Sequence, residues 1–162
     1  MLGLGTPKPI AGRAEDIVKC PVASVFDYVG YGFFKNYRKW CPQVIELEPR
    51  SGDAIQVGSI ARQVTLDRGI RSESTFEVTD FAPPRRLEIK GVSEPFRSAY
   101  EFAEETDAST RLAFTFELLE LDLVMRPFQK LIRVALEDGA KQTIENLKGL
   151  LQVETVQASH VA

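Results

Sequence analysis

The chain has 162 residues, 44% of them apolar and 27% charged, with a formal net charge of -3 at pH 7. That length suits a single domain with a core of its own, and the even mixture of signs leaves no basic excess to neutralise a phosphate backbone. Nucleic acid is excluded as an expected partner, and so is an integral membrane segment, because no run approaches the roughly 18 consecutive apolar residues of a span.

In chain order, the opening MLGLGTPKPI lacks the regions of a signal peptide, which points to a cytoplasmic protein. AEDIVKC then reads as a short strand. PVASVFDYV follows with Pro21 where a helix accepts it, in the first turn, and with Val22, Val25, Phe26 and Val29 at helical spacing. Gly30 and Gly32 interrupt the pattern before FFKNYRKW, a second short helix whose Phe33, Phe34, Tyr37 and Trp40 turn aromatic surface inward. From Gln43 to Leu119 the period changes to two, and the turn signals RSGD, DRG, APP, SEP and TDAS cut the region into about six strands. Connections this short make antiparallel hairpins or a meander. The remainder is helical, with one apolar stripe running from Phe128 through Leu136 and Ile144 to Leu151 and with Pro127 marking its start. The stripe stays in phase through Asp138-Gly139, which predicts one helix with a weak point. Gly139 is open to two readings: close approach to a crowded partner, or a bend that opens space between helix and sheet. The expected domain spans 1–162, with an ordered core of about 12–152 and flexible tails at 1–11 and 153–162.

The alternation also assigns faces. Ser72, Ser74, Phe76 and Val78 share a dry side, as do Leu87 and Ile89, then Ser98, Tyr100 and Phe102, then Phe114 and Phe116; Glu73, Glu77, Glu101 and Glu117 fall on the wet side. In SIARQVTL the apolar positions Ile60, Val64 and Leu66 share their face with Arg62, and that face is assigned to the dry side. A guanidinium placed there needs a carboxylate, water or something bound. One helix about 10 Å wide cannot fill the concave side of a curved sheet of six or seven strands, so a cavity is expected. Its candidate ligand-binding residues are Tyr37 and Trp40, Arg62 and Val64, the strand positions Ser72, Ser74, Phe76, Ile89, Ser98, Tyr100, Phe102, Phe114 and Phe116, and Phe128 of the helix. For the aromatics the competing reading is ordinary core; for Arg62 it is a stem that packs while its head reaches water or a carboxylate.

Other chemistry has little to stand on. Cys20 and Cys41 make neither a disulfide framework nor a metal motif by spacing, and the sole histidine, His160, falls in a polar tail. HExxH, CxxC, GxGxxG, GxSxG and P-loop patterns do not occur, so no metal and no cofactor is expected. The acids on the wet side leave no inward carboxylate pair for proton transfer.

The order strand, two short helices, six-stranded meander and long terminal helix resembles the START-like, Bet v 1-like superfamily, and within it the polyketide cyclase/dehydrase and lipid-transport group. CPVASVFDYV with FFKNYRKWCPQV, then VGSIARQVTL, FEVTDFAPPRRLEI, TRLAFTF and IENLKGLLQ carry the resemblance, over about residues 14–152. It implies an α+β helix-grip fold with a deep apolar cavity between sheet and helix. The expected function is binding of a hydrophobic small molecule (a lipid, isoprenoid, quinone or polyketide-like aromatic), with Arg62 and Tyr100 orienting its polar end. The alternative is a cyclase, aromatase or dehydratase acting on a poly-carbonyl substrate, where Arg62 would stabilise an enolate and Tyr100 would donate or relay a proton. A partner-binding module using the outer sheet or the long helix ranks third.

Overall fold

The computed structural model describes residues 9–161 apart from Asp53, with side chains described as far as Val153. Strand β1 (Ile10–Val18) leads into α1 (Val22–Phe26), a π-helical turn (Asp27–Tyr31) and α2 (Phe33–Trp40). Strands β2 (Val44–Pro49), β3 (Ile60–Asp67), β4 (Ile70–Ala82), β5 (Arg86–Gly91), β6 (Phe96–Thr106) and β7 (Ser109–Leu118) follow, then a 3-10 turn (Leu123–Phe128) and α3 (Gln129–Val161). The seven strands form one antiparallel sheet in the order β1-β7-β6-β5-β4-β3-β2. This is the expected α+β helix-grip architecture.

Local chemistry sets the register. Between β3 and β4 the chain turns through Arg68 and Gly69, both left-handed (φ 51° and 81°), as a two-residue hairpin turn requires. That turn pairs Asp67 with Ile70 and so places Thr65 opposite Ser72, Gln63 opposite Ser74 and Arg62 opposite Thr75.

Element boundaries depart from the sequence reading in three places. β1 begins at Ile10, because pairing with β7 continues out to Leu118. Pro127, which has no N–H to donate, sits inside the 3-10 turn, and α3 starts two residues later. The α3 backbone is helical to Val161, beyond Gln152 where the helical pattern in the sequence ends; the first eight residues of the expected 1–11 tail lie outside the described residues.

The position of α3 decides where the cavity lies. The helix runs over β1 and β7 at one side of the sheet. A Cβ on Gly12 would stand 2.2 Å from the carbonyl carbon of Leu136 and 2.3 Å from its oxygen, so only glycine lets β1 come this close to the helix. Farther along, Ala140, Ile144, Leu147 and Leu151 enter the core, and Asn146 Nδ2 donates to the carbonyl of Trp40 at 3.0 Å, tying α3 to the end of α2. On the other side of the core, Phe26 of α1 meets Phe102 edge-on at 5.1 Å, and Phe33 of α2 packs on Phe76. The first turns of α3 stand clear of the sheet, with Leu131 69% and Val134 54% exposed.

Candidate ligand cavity

With α3 held to one side and α2 closing one end, a space of about 530 Å3 remains over the inner faces of β3, β4, β6 and β7. The helix presents Ala135, Leu136, Gly139, Ala140 and Thr143 to it, all but Leu136 small. A Cβ on Gly139 would meet no atom within 4 Å, so close approach does not explain this glycine.

One wall is aromatic. Tyr37 and Trp40 come from α2, Phe96 and Tyr100 from β6, and Phe114 and Phe116 from β7. Phe96 and Phe116 are stacked, with ring centres 5.9 Å apart and planes 7° from parallel. Trp40 Nε1 donates to the Tyr100 hydroxyl at 3.1 Å, in a pair sealed from solvent. Burial pushes the Tyr100 phenol well above its ordinary range, against the smaller opposing effect of the Trp40 hydrogen bond. Burial also raises Tyr37, with the neighbouring Cys41 and Tyr100 adding to it, and burial lifts the Cys41 thiol. At neutral pH these three groups are therefore uncharged, able to donate hydrogen bonds but poor bases and nucleophiles.

The facing wall is polar and carries no cation. Gln63 and Thr65 of β3 lie directly across from Ser74 and Ser72 of β4. Gln63 is 5% exposed; its Nε2 donates to Ser74 Oγ at 3.2 Å, while its Oε1 is buried without a hydrogen-bond partner. Ser98 adds a hydroxyl from β6. The charged residues of the lining are Asp67, Glu73 and Glu94, and no Lys or Arg belongs to it.

Of the residues expected at the cavity, the structure brings Tyr37, Trp40, Ser72, Ser74, Ser98, Tyr100, Phe114 and Phe116 together there. Phe76 and Ile89 point inward but are fully buried in the core, and Phe102 is occupied with Phe26. Three expectations are corrected. Arg62 lies on the outer face, where its Nε donates to Glu73 and its Nη1 to Glu46 at 3.1 Å and to Glu48 at 3.5 Å. These contacts hold its pKa above the ordinary value and lower that of Glu73. Val64 shares the outer face and is fully buried there. Phe128 is 48% exposed in the turn before α3 and lines no part of the space. Missing from the expectation were Gln63 and Thr65, the Cys41–Val44 approach, and the small residues of α3.

A second hollow of about 510 Å3 lies over outward-facing residues of β1 and β4–β7. Three of its four arginines are paired with acids, Arg13–Glu15 at 3.0 Å, Arg86–Asp80 at 3.1 Å and Arg111–Glu105 at 3.2 Å; the fourth is Arg85. Among the described residues no group of His, Cys, Asp and Glu is placed to hold a metal ion, and no helix is long and apolar enough to cross a membrane.

The family model described as polyketide cyclase/dehydrase and lipid transport matches residues 11–152. No curated protein matches the sequence. Among solved structures, the Zhui aromatase/cyclase from Streptomyces sp. R1128 is similar with a TM-score of 0.71 at 12% identity, over 88% of this chain and 93% of that one. TTHA0849 from Thermus thermophilus is similar with a TM-score of 0.68 at 17% identity, over 89% and 98%. Ara h 8.0201 is similar with a TM-score of 0.64 at 11% identity, over 88% and 97%.

Proposed function

We propose, for a chain that belongs to the polyketide cyclase/dehydrase and lipid transport family, that the protein binds a hydrophobic small molecule between its sheet and α3. The observation that carries this reading is the space itself. At about 530 Å3 it falls within the roughly 300–1,000 Å3 of small-molecule sites, and its aromatic wall with a few placed polar groups is the usual chemistry of such sites. Filling it takes apolar ligand surface out of water against Trp40, Phe114 and Phe116.

The outward position of Arg62 favours binding over cyclisation of a poly-carbonyl chain. An enolate forming in the cavity would meet no lysine or arginine in the lining, and electrostatic stabilisation of developing charge is usually the largest catalytic contribution. Tyr100 remains available as a hydrogen-bond donor to a ligand oxygen, because in its bond with Trp40 its oxygen accepts and its own proton is not used.

Native mass spectrometry of protein purified without detergent tests the reading. A bound small molecule, or stoichiometric uptake of added methylpyrene, is expected, and Thr143→Phe, which places a ring in the space, should abolish it. Failure of the folded wild-type protein to take up any apolar molecule would contradict it.

A further inference from the structure

We infer that the ligand is uncharged and carries a hydroxyl or N–H at its polar end, which lies against the β3–β4 wall, and that the cavity rejects carboxylates and phosphates. This rests on the binding reading above and narrows it to a chemical class.

The cavity is chemically two-sided. Its aromatic side suits a flat or extended apolar body. Its polar side is built from two directly opposed cross-strand pairs, Gln63 with Ser74 and Thr65 with Ser72, all four polar and uncharged. Within that strip the Gln63 amide is half used. Its Nε2 donates to Ser74 Oγ through one of its two N–H bonds, whereas its carbonyl oxygen has no partner and is closed off from water. A buried acceptor left unpaired is costly, and a donor brought to it by a ligand removes the cost. An anion offers no proton to that oxygen.

Charge points the same way. An acidic headgroup entering this space would lose its hydration and find no cation in the lining; of the two arginines adjacent in sequence to the polar wall, Arg62 is committed to Glu46, Glu48 and Glu73, and Arg71 lies 3.8 Å from Glu46. It would also pass Asp67 and Glu94, which belong to the lining. Unpaired charge in a low-dielectric pocket is strongly unfavourable.

Three fluorescent probes with one shared body separate the possibilities: hydroxypyrene, methylpyrene and pyrene carboxylate, each titrated into wild type, Gln63→Leu and Gln63→Glu at neutral pH. The expected order in wild type is hydroxypyrene about tenfold tighter than methylpyrene and pyrene carboxylate about a hundredfold weaker than hydroxypyrene. In Gln63→Leu the advantage of hydroxypyrene over methylpyrene should vanish while methylpyrene still binds. In Gln63→Glu, which keeps an acceptor at that place, the advantage should persist. Thermal melts identify any variant that fails to fold, and the wild-type ranking decides the question without it. If pyrene carboxylate binds as well as hydroxypyrene, or methylpyrene does, the inference fails and cavity binding stands. If none of the three binds, the cavity reading and the inference fall together.

Discussion

Gly12 and Leu136 set the width of the cavity, because the strand backbone at Gly12 meets the helix backbone at Leu136 with no room for a Cβ between them. Contact there holds α3 against β1 and leaves the inner strands of the sheet uncovered. A single methyl group at this point would displace backbone, which cannot give as a flexible side chain can. Gly12→Ala is expected to destabilise the fold by about 1–3 kcal/mol or more. Gly139→Ala, whose Cβ meets open space in a helix interior, is expected to stabilise it by about 1 kcal/mol. Thermal and denaturant melts of the two variants check the opposite signs.

Tyr100→Phe removes the acceptor for Trp40 Nε1 and leaves that N–H buried without a partner, since Trp40 is only 1% exposed. The expected loss of stability is about 1–3 kcal/mol. Tyr100→Phe made together with Trp40→Phe should lose less than the sum of the single changes, and a double-mutant cycle measures the difference.

Alkaline pH provides a separate check on the same wall. Tyr37 and Tyr100 have folded pKa values above the ordinary 10.0, because burial penalises the phenolate. A raised value means that the neutral form is the one the fold favours. Their contribution to stability is then complete below about pH 10 and is lost as pH rises toward the folded values. Phenolate absorbance should show these two tyrosines ionising together with unfolding, and Tyr100→Phe should shrink that late amplitude. Smooth titration of both near pH 10 with the fold intact would contradict the buried placement.

Arg62→Ala is expected to leave ligand affinity unchanged, because the guanidinium answers to Glu46, Glu48 and Glu73 on the outer face. The variant should be less stable than wild type at neutral pH, because Glu73 loses the partner that lowers its pKa. With Arg62 present, the stability from that lowered carboxylate holds above the ordinary Glu range and is lost as pH falls through the folded value. Acid melts of the two proteins should therefore converge at low pH.

The fate of Arg62 shows how much of the site was legible in the sequence. Apolar spacing in SIARQVTL put Ile60, Val64 and Leu66 on one face, and that face was assumed to be the dry one. The adjacent DRG turn carried the opposite information. A two-residue hairpin turn opposes Asp67 to Ile70, so Arg62 and Val64 must share a face with Thr75 and Glu73, which the alternation of β4 had already placed on the wet side. Applied together, the two signals would have turned Arg62 outward and Gln63 inward. The meander from β2 to β7, the paired short helices and the long terminal helix are readable because each rests on a strong period, short turns or a glycine break. The offset of α3 toward β1 was not, since it depends on one close approach at Gly12 that no local pattern announces.

Trp40 is the single tryptophan of the chain and lines the cavity, so energy transfer from it to a bound pyrene reports directly on occupancy of the space between sheet and helix. Titration with methylpyrene should give transfer that saturates at one ligand per chain and disappears in Thr143→Phe. Absence of saturable transfer in the wild-type protein, or transfer undiminished when Thr143 carries a phenyl ring, would contradict the account.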